Sequence, residues 1–218
     1  MAADSAADKR TRLLQQLREG KAPLAVAPLL APEPGARVPL TRGQEQMWLD
    51  CQLAPDEPVY NEAVTLRRTG PCDLAALRRA FNLALSRHEA WRTTFGSEDG
   101  QAYQLVRSHA DHPLPLVDLS SLAESEREAQ ATKMAAADAC APFDLENGPL
   151  VRPLLVRLSE QDHRLYLALH HLVFDGVALR LLVSEMLEIY RALVARRPVE
   201  LPSPPPPYSH YACWERRR

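Results

Sequence analysis

Glycine, closely spaced metal ligands and long apolar runs are all scarce in this sequence, and each scarcity excludes a kind of site. Only 8 of the 218 residues are glycine, and neither GxGxxG nor GxxxxGK[ST] occurs. A phosphate cradle built from a glycine-rich backbone is therefore not expected. The 4 cysteines form no CxxC pair, which excludes a zinc knuckle and makes a disulfide scaffold a poor explanation. No stretch approaches the roughly 18 apolar residues of a membrane span.

The sequence also lacks an excess of charge of either sign. Its 26 basic and 28 acidic residues leave a formal net charge of −2, which excludes a global polycation for nucleic acid. The start, MAADSAADKRTRLL, has no apolar run of the kind that signal peptides contain. We therefore predict a cytoplasmic protein that uses neither nucleic acid nor a membrane as a partner. Hydrophobic residues make up 46% of the chain, enough to build a globular core.

The organisation of the chain changes near residue 37. Residues 8–20 suit a short amphipathic helix, and a proline-rich linker follows. We therefore divide the chain into an N-terminal segment, residues 1–37, and a globular region, residues 38–218. The helix either docks an upstream partner or is a solvated linker helix, and the sequence leaves both open.

Helical and strand patterns mix in the globular region without a strict βαβ alternation. Apolar periodicity and capping residues predict helices over 42–53, 73–88, 121–140 and 177–195, with a short one from Tyr208. Alternating patterns predict strands over 59–67, 91–96, 101–107, 150–158 and 163–170. The fold class predicted is α/β, with a mixed, mostly antiparallel sheet and helices packed on it. The SPPPP run at 203–207 is expected to end the packed region.

The string HHLVFDG at residues 170–176 is the segment that promises chemistry. By the period of two, His171 continues the buried row of the strand before it, whereas His170 points to the opposite face and is interpreted as structural. His171 is thereby placed at the lip of the sheet. Asp175 stands where an N-cap for the next helix is needed, and Gly176 can relax a tight turn. A satisfied core histidine remains the alternative for His171.

Two other segments, LTRGQEQMWL at 40–49 and RHEAWRTTF at 87–95, precede HHLVFDG in the chain. In this order the three strings resemble the patterns SxAQxRLWxL, RHExLRTxF and HHxxxDG of condensation domains of nonribosomal peptide synthetases. Residues 141–150 and 208–215 also resemble segments of that family. The resemblance implies a chloramphenicol-acetyltransferase-like fold of two lobes with the active site between them. It implies that this chain is the N-terminal lobe, with the second lobe absent.

The same resemblance implies a reaction and a set of residue roles. The reaction is amide formation between a carrier-bound acyl thioester and a carrier-bound aminoacyl amine. No cofactor or metal is bound directly, because the phosphopantetheine belongs to the donor and acceptor peptidyl carrier proteins. The other implied partners are the second lobe and the neighbouring synthetase domains. His171 is the candidate catalytic residue, as a base or as a positioning group. Asp175 would pair with an arginine of the RHEAWRTTF segment, either Arg87 or Arg92, of which Arg87 is preferred because it ends a helix.

Two departures from the family patterns bear on specificity. Trp91 stands where leucine is usual, and Val177 and Ala178 replace the aromatic–serine pair that often follows Asp-Gly. Two other functions also stay open. One is a stand-alone HHxxxDG acyltransferase acting on an alcohol or a small amine. The other is a non-catalytic half-domain that docks carrier proteins.

Overall fold

The computed structural model describes residues 31–33 and 35–218, and the predicted helix at 8–20 lies outside them. The described residues form seven β-strands: β1 (Arg37–Pro39), β2 (Asn61–Thr69), β3 (Thr93–Glu98), β4 (Gln101–Val106), β5 (Leu116–Asp118), β6 (Val151–Ser159) and β7 (Asp162–His170). Their α-helices are α1 (Arg42–Leu53), α2 (Leu74–Ser86), α3 (Glu124–Cys140), α4 (Gly176–Val194) and α5 (Tyr208–Glu215), and a 3-10 helix spans Glu89–Arg92.

These strands divide between two sheets. One has the order β1-β4-β3, and the other has the order β2-β7-β6-β5. Every neighbouring pair is antiparallel except β5 with β6, which is parallel. The predicted combination of helices with mostly antiparallel, partly mixed pairing is therefore confirmed, although the strands form two sheets where one was expected.

The β6–β7 hairpin lies in the middle of the larger sheet and supplies much of the core. Leu165, Leu167 and Leu169 of β7 are at most 4% exposed, as their alternation predicted. The apolar stripes of α2 and α4 pack into the same cluster, through Phe81 and Ile189 among others. The end of β7, where the two histidines stand, thereby continues directly from the buried core.

Helix starts follow the capping residues that the sequence displays. The side chain of Thr41 accepts a hydrogen bond from the Gln44 amide, and the Gln44 side chain accepts one from the Thr41 amide, which completes a capping box. The Asp73 carboxylate accepts from the Ala76 amide and starts α2. Strands β1 and β5 were not predicted, since three residues are too few for a periodic pattern to stand out.

Candidate active site

The two adjacent histidines lie on different sides of the chain at the end of β7. His170 is 3% exposed, and its Nδ1 accepts a hydrogen bond from the Leu172 amide. Its Nε2 lies 3.6 Å from Sγ of Cys51, and the ring edge meets Phe143. Burial lowers the pKa of His170 to about 4, with a smaller contribution from neighbouring His171. This imidazole is therefore neutral at physiological pH and belongs to the packed interior.

His171, by contrast, lines an open cleft. Its side chain is 36% exposed, and its Nε2 lies 3.1 Å from Oε1 of Glu62 on β2. The ring stacks on Phe174, with 4.8 Å between centroids and 15° between planes. The backbone amide of His171 donates to the Tyr60 carbonyl, which extends the β2–β7 pairing by one step. The histidine that the sequence selected is thus the accessible one of the pair.

The cleft beside His171 has a volume of about 770 Å³ and mostly apolar walls. Trp91 and Phe174 stack on each other within it, and Met47 and Leu181 add further apolar surface. The proline run 204–207 forms another part of the wall. The expectation that this run ends the packed region is therefore wrong. Its stiff backbone continues along the cleft and leads into α5, where the Tyr208 hydroxyl lies 3.3 Å from Oγ1 of Thr41.

Asp175 caps α4 and pairs with no arginine of the described part of the chain. One carboxylate oxygen accepts hydrogen bonds from the amides of Val177 and Ala178, at 2.9 and 2.7 Å. The residue is exposed, so its charge does not require a buried cation. The predicted pairing of Asp175 with Arg87 or Arg92 is therefore wrong in this structure, and the N-cap role that the sequence also suggested is the one observed.

Arg87 instead forms an ion pair that the sequence analysis missed. Its Nε and Nη2 donate to the two carboxylate oxygens of Glu185, at 2.9 and 3.2 Å, and Nη2 also donates to the Pro202 carbonyl. His88 Nε2 lies 2.9 Å from the same carboxylate, whose side chain is only 4% exposed. This cluster joins α2, α4 and the segment before the proline run. The sequence signal for this ion pair was Glu185, a glutamate on the buried face of the apolar helix α4.

The other arginine considered for this pairing, Arg92, donates to backbone carbonyls at the end of α2 and just after β4. Its Nε donates to the Arg107 carbonyl at 3.0 Å, and its Nη1 donates to the Ser86 carbonyl at 3.4 Å. Arg92 also lines the cleft, as does His88. Neither contact brings Arg92 to Asp175.

Gly176 is the first residue of α4 and is exposed. Its backbone is not in the left-handed region, and a Cβ added there would meet no atom of the described residues within 4 Å. The expectation that Gly176 relaxes a tight turn is therefore wrong. Because glycine has no side chain, nothing projects from the first residue of α4.

Metal-binding clusters and membrane-spanning helices are both absent from the described residues. Residues 31–33 and 35–218 contain no group of three or more His, Cys, Asp or Glu side chains arranged to hold a metal ion. None of the helices within these ranges combines the length and apolar character needed to cross a bilayer.

Comparison with known proteins decides the family. The family model described as "Condensation domain" matches residues 36–218. The chain belongs to the condensation-domain family. It is 38% identical over 182 residues to a linear gramicidin synthase protein of Brevibacillus parabrevis, a match that covers 84% of this chain and 4% of that protein. It is also 38% identical over 186 residues to phosphinothricin tripeptide synthetase PhsC of Streptomyces viridochromogenes, a match that covers 85% of this chain and 17% of that protein.

Solved condensation domains share the fold of this lobe. The first condensation domain of the calcium-dependent antibiotic synthetase matches with a TM-score of 0.70 and 29% identity, over 77% of this chain and 40% of that one. The starter condensation domain of rhizomide synthetase RzmA matches with a TM-score of 0.71 and 26% identity, again over 77% and 40%. The predicted family and fold class are confirmed. This chain spans about two-fifths of these domains and a small part of the synthetases.

Proposed function

We propose that this condensation-domain chain works as the N-terminal lobe of a two-lobe catalyst of amide-bond formation in nonribosomal peptide synthesis. Its substrates are an acyl or peptidyl thioester on a donor carrier protein and an aminoacyl amine on an acceptor carrier protein. Both are held on phosphopantetheine arms, so the lobe itself needs no bound cofactor. Its partners are those carriers, the second lobe and the neighbouring synthetase domains, and its compartment is the cytoplasm.

The observation that carries this proposal is the position of His171. It is the histidine of the HHxxxDG string that reaches the large cleft, where Phe174 stacks on its ring. A neutral imidazole has one ring nitrogen with a free lone pair, which can accept the proton that the amine nitrogen loses as it attacks. His170 is enclosed and keeps the backbone of the turn in place through the Leu172 amide.

The proposed reaction needs no reagent other than the two carrier-bound substrates. The amine nitrogen attacks the thioester carbonyl carbon, and a C–N bond forms as the C–S bond breaks. The amine proton passes to His171, which then gives it to the departing thiolate, so that the donor carrier leaves as its free thiol and the imidazole is neutral again. Asp175 supports the step indirectly, because its carboxylate fixes the start of α4, and α4 provides one wall of the cleft. In the complete two-lobe domain the apolar walls would limit the access of water to the thioester.

The test uses the complete two-lobe domain with both carrier proteins loaded. Replacing His171 by alanine should lower amide formation by a factor of about 10² or more, while the melting temperature changes little because the side chain lies at the cleft surface. His109→Ala is the matched control, since that side chain is 44% exposed outside the cleft and should keep full turnover. Unimpaired turnover by His171→Ala would remove His171 from the mechanism.

A further inference from the structure

A carboxylate stands beside the cleft-lining histidine but outside the cleft. Oε1 of Glu62 lies 3.1 Å from Nε2 of His171. His171 is one of the residues that line the large cleft, whereas Glu62 is not. In the β2–β7 register Glu62 is the partner of Leu169, so its side chain shares a sheet face with His171 and reaches the imidazole from the neighbouring strand. Its contact with Nε2 gives it a route to influence chemistry in the cleft through the ring of His171.

Hydrogen bonds to β7 and to the end of α3 hold the backbone next to Glu62 in place. In the β2–β7 register Asn61 is the partner of His170, and the His171 amide donates to the Tyr60 carbonyl at 3.0 Å. The Asn61 side chain donates to the carbonyls of Ala139 and Ala141, both at 2.9 Å. The start of β2 is thereby fastened to the end of α3. Glu62 is presented to His171 by backbone that has little freedom to withdraw.

Stacking on Phe174 still allows the His171 ring to turn over by a half-turn, and the hydrogen bond to Glu62 removes this freedom. Phe174 lies flat against His171, and Trp91 stacks behind Phe174 at 6.4 Å and 23°. Stacking fixes the plane of the imidazole, but a half-turn about the bond to the ring exchanges nitrogens for carbons within the same plane. A hydrogen bond at one nitrogen distinguishes the two orientations, because a C–H group in its place cannot donate comparably.

We propose that Glu62 is a positioning residue for His171, an inference that rests on the proposed function. The Glu62 carboxylate accepts a hydrogen bond from Nε2–H of His171 and holds the ring in one orientation and one tautomer. The lone pair that takes up a proton then lies on Nδ1. When the ring becomes an imidazolium, the neighbouring negative charge also stabilises it, as the third group does in nucleophile–base–carboxylate arrangements.

The direct test is spectroscopic and requires no turnover. The complete two-lobe domain is labelled with ¹⁵N-histidine, and the tautomer of His171 is identified from its two ring nitrogen shifts, assigned with a His171→Gln variant. The wild type and Glu62→Gln should both show Nε2–H, since the amide oxygen of glutamine also accepts. Glu62→Ala should give a mixture of tautomers. Ring shifts of His171 that are the same in Glu62→Ala as in the wild type would overturn the proposal.

Kinetics with loaded carrier proteins provide the second test. Glu62→Ala should lower kcat about fivefold with little change in KM, the size expected for an exposed charged hydrogen bond, and Glu62→Gln should recover part of the loss. Glu160→Gln is the matched control, because this glutamate is 84% exposed in the β6–β7 turn, at the opposite end of β7. Normal kcat in Glu62→Ala beside an inactive His171→Ala would refute the role of Glu62 alone. An active His171→Ala would refute the proposed function itself.

Discussion

Replacing Arg87 by alanine should destabilise the lobe far more than replacing Asp175 by asparagine. Arg87 makes two hydrogen bonds, of 2.9 and 3.2 Å, to the Glu185 carboxylate, which is only 4% exposed. Without Arg87 that carboxylate stays buried with His88 as its remaining hydrogen-bonding neighbour. Removing one member of a buried ion pair costs about 3–5 kcal/mol. Because His88 Nε2 remains 2.9 Å from the carboxylate, we expect a loss near the lower limit, about 3 kcal/mol.

Asp175 should respond differently because its contacts are those of an N-cap. Asparagine caps helices about as well as aspartate, so Asp175→Asn should cost less than about 0.5 kcal/mol. Asp175→Ala removes the acceptor for the amides of Val177 and Ala178 and should cost about 1 kcal/mol. Had Asp175 been the partner of Arg87, the asparagine variant would have left a buried guanidinium without its counter-charge.

Urea unfolding followed by circular dichroism measures these differences. The wild type, Arg87→Ala, Asp175→Asn and their double variant form one thermodynamic cycle, and their losses should add within about 0.5 kcal/mol. A second cycle with Arg87→Ala and Glu185→Ala should show a coupling of about 1–3 kcal/mol. Equal losses from Arg87→Ala and Asp175→Asn, together with coupling between them, would refute the pairing described above.

Two further predictions concern His170 and Gly176. Burial lowers the pKa of His170 to about 4, so the unfolded chain takes up this proton first. Stability should therefore fall by about 3 kcal/mol as the pH drops from about 6.5 to about 4, and urea unfolding at both ends of this range should show a smaller fall in His170→Gln. Gly176→Ala should leave the melting temperature unchanged or raise stability by up to about 1 kcal/mol, since alanine favours helix and meets no described atom within 4 Å. A lower melting temperature would show strain at this position.

Sequence patterns alone were enough to predict the family, most helices and which of the two histidines is accessible. These features follow from local patterns: the capping residues Thr41 and Asp73, the leucines that alternate along β7, and the motifs read in order. Alternation separates His170 from His171, because successive side chains of a strand point to opposite faces. The family comparison later confirmed the resemblance on which the fold class also depended.

The pairing of charged groups could not be predicted from the sequence and became visible in the folded chain. Arg87 and Glu185 are 98 residues apart, and His171 and Glu62 are 109 apart, so no local period relates them. The resemblance suggested a partner for Asp175, but the packing of α2 against α4 presents Glu185 to Arg87 instead. The split into two sheets and the cleft wall formed by residues 204–207 likewise depend on long-range packing. Hydrophobic patterning along the chain specifies which faces of helices and strands are buried. Which charged side chains form pairs depends on how whole elements are positioned relative to one another.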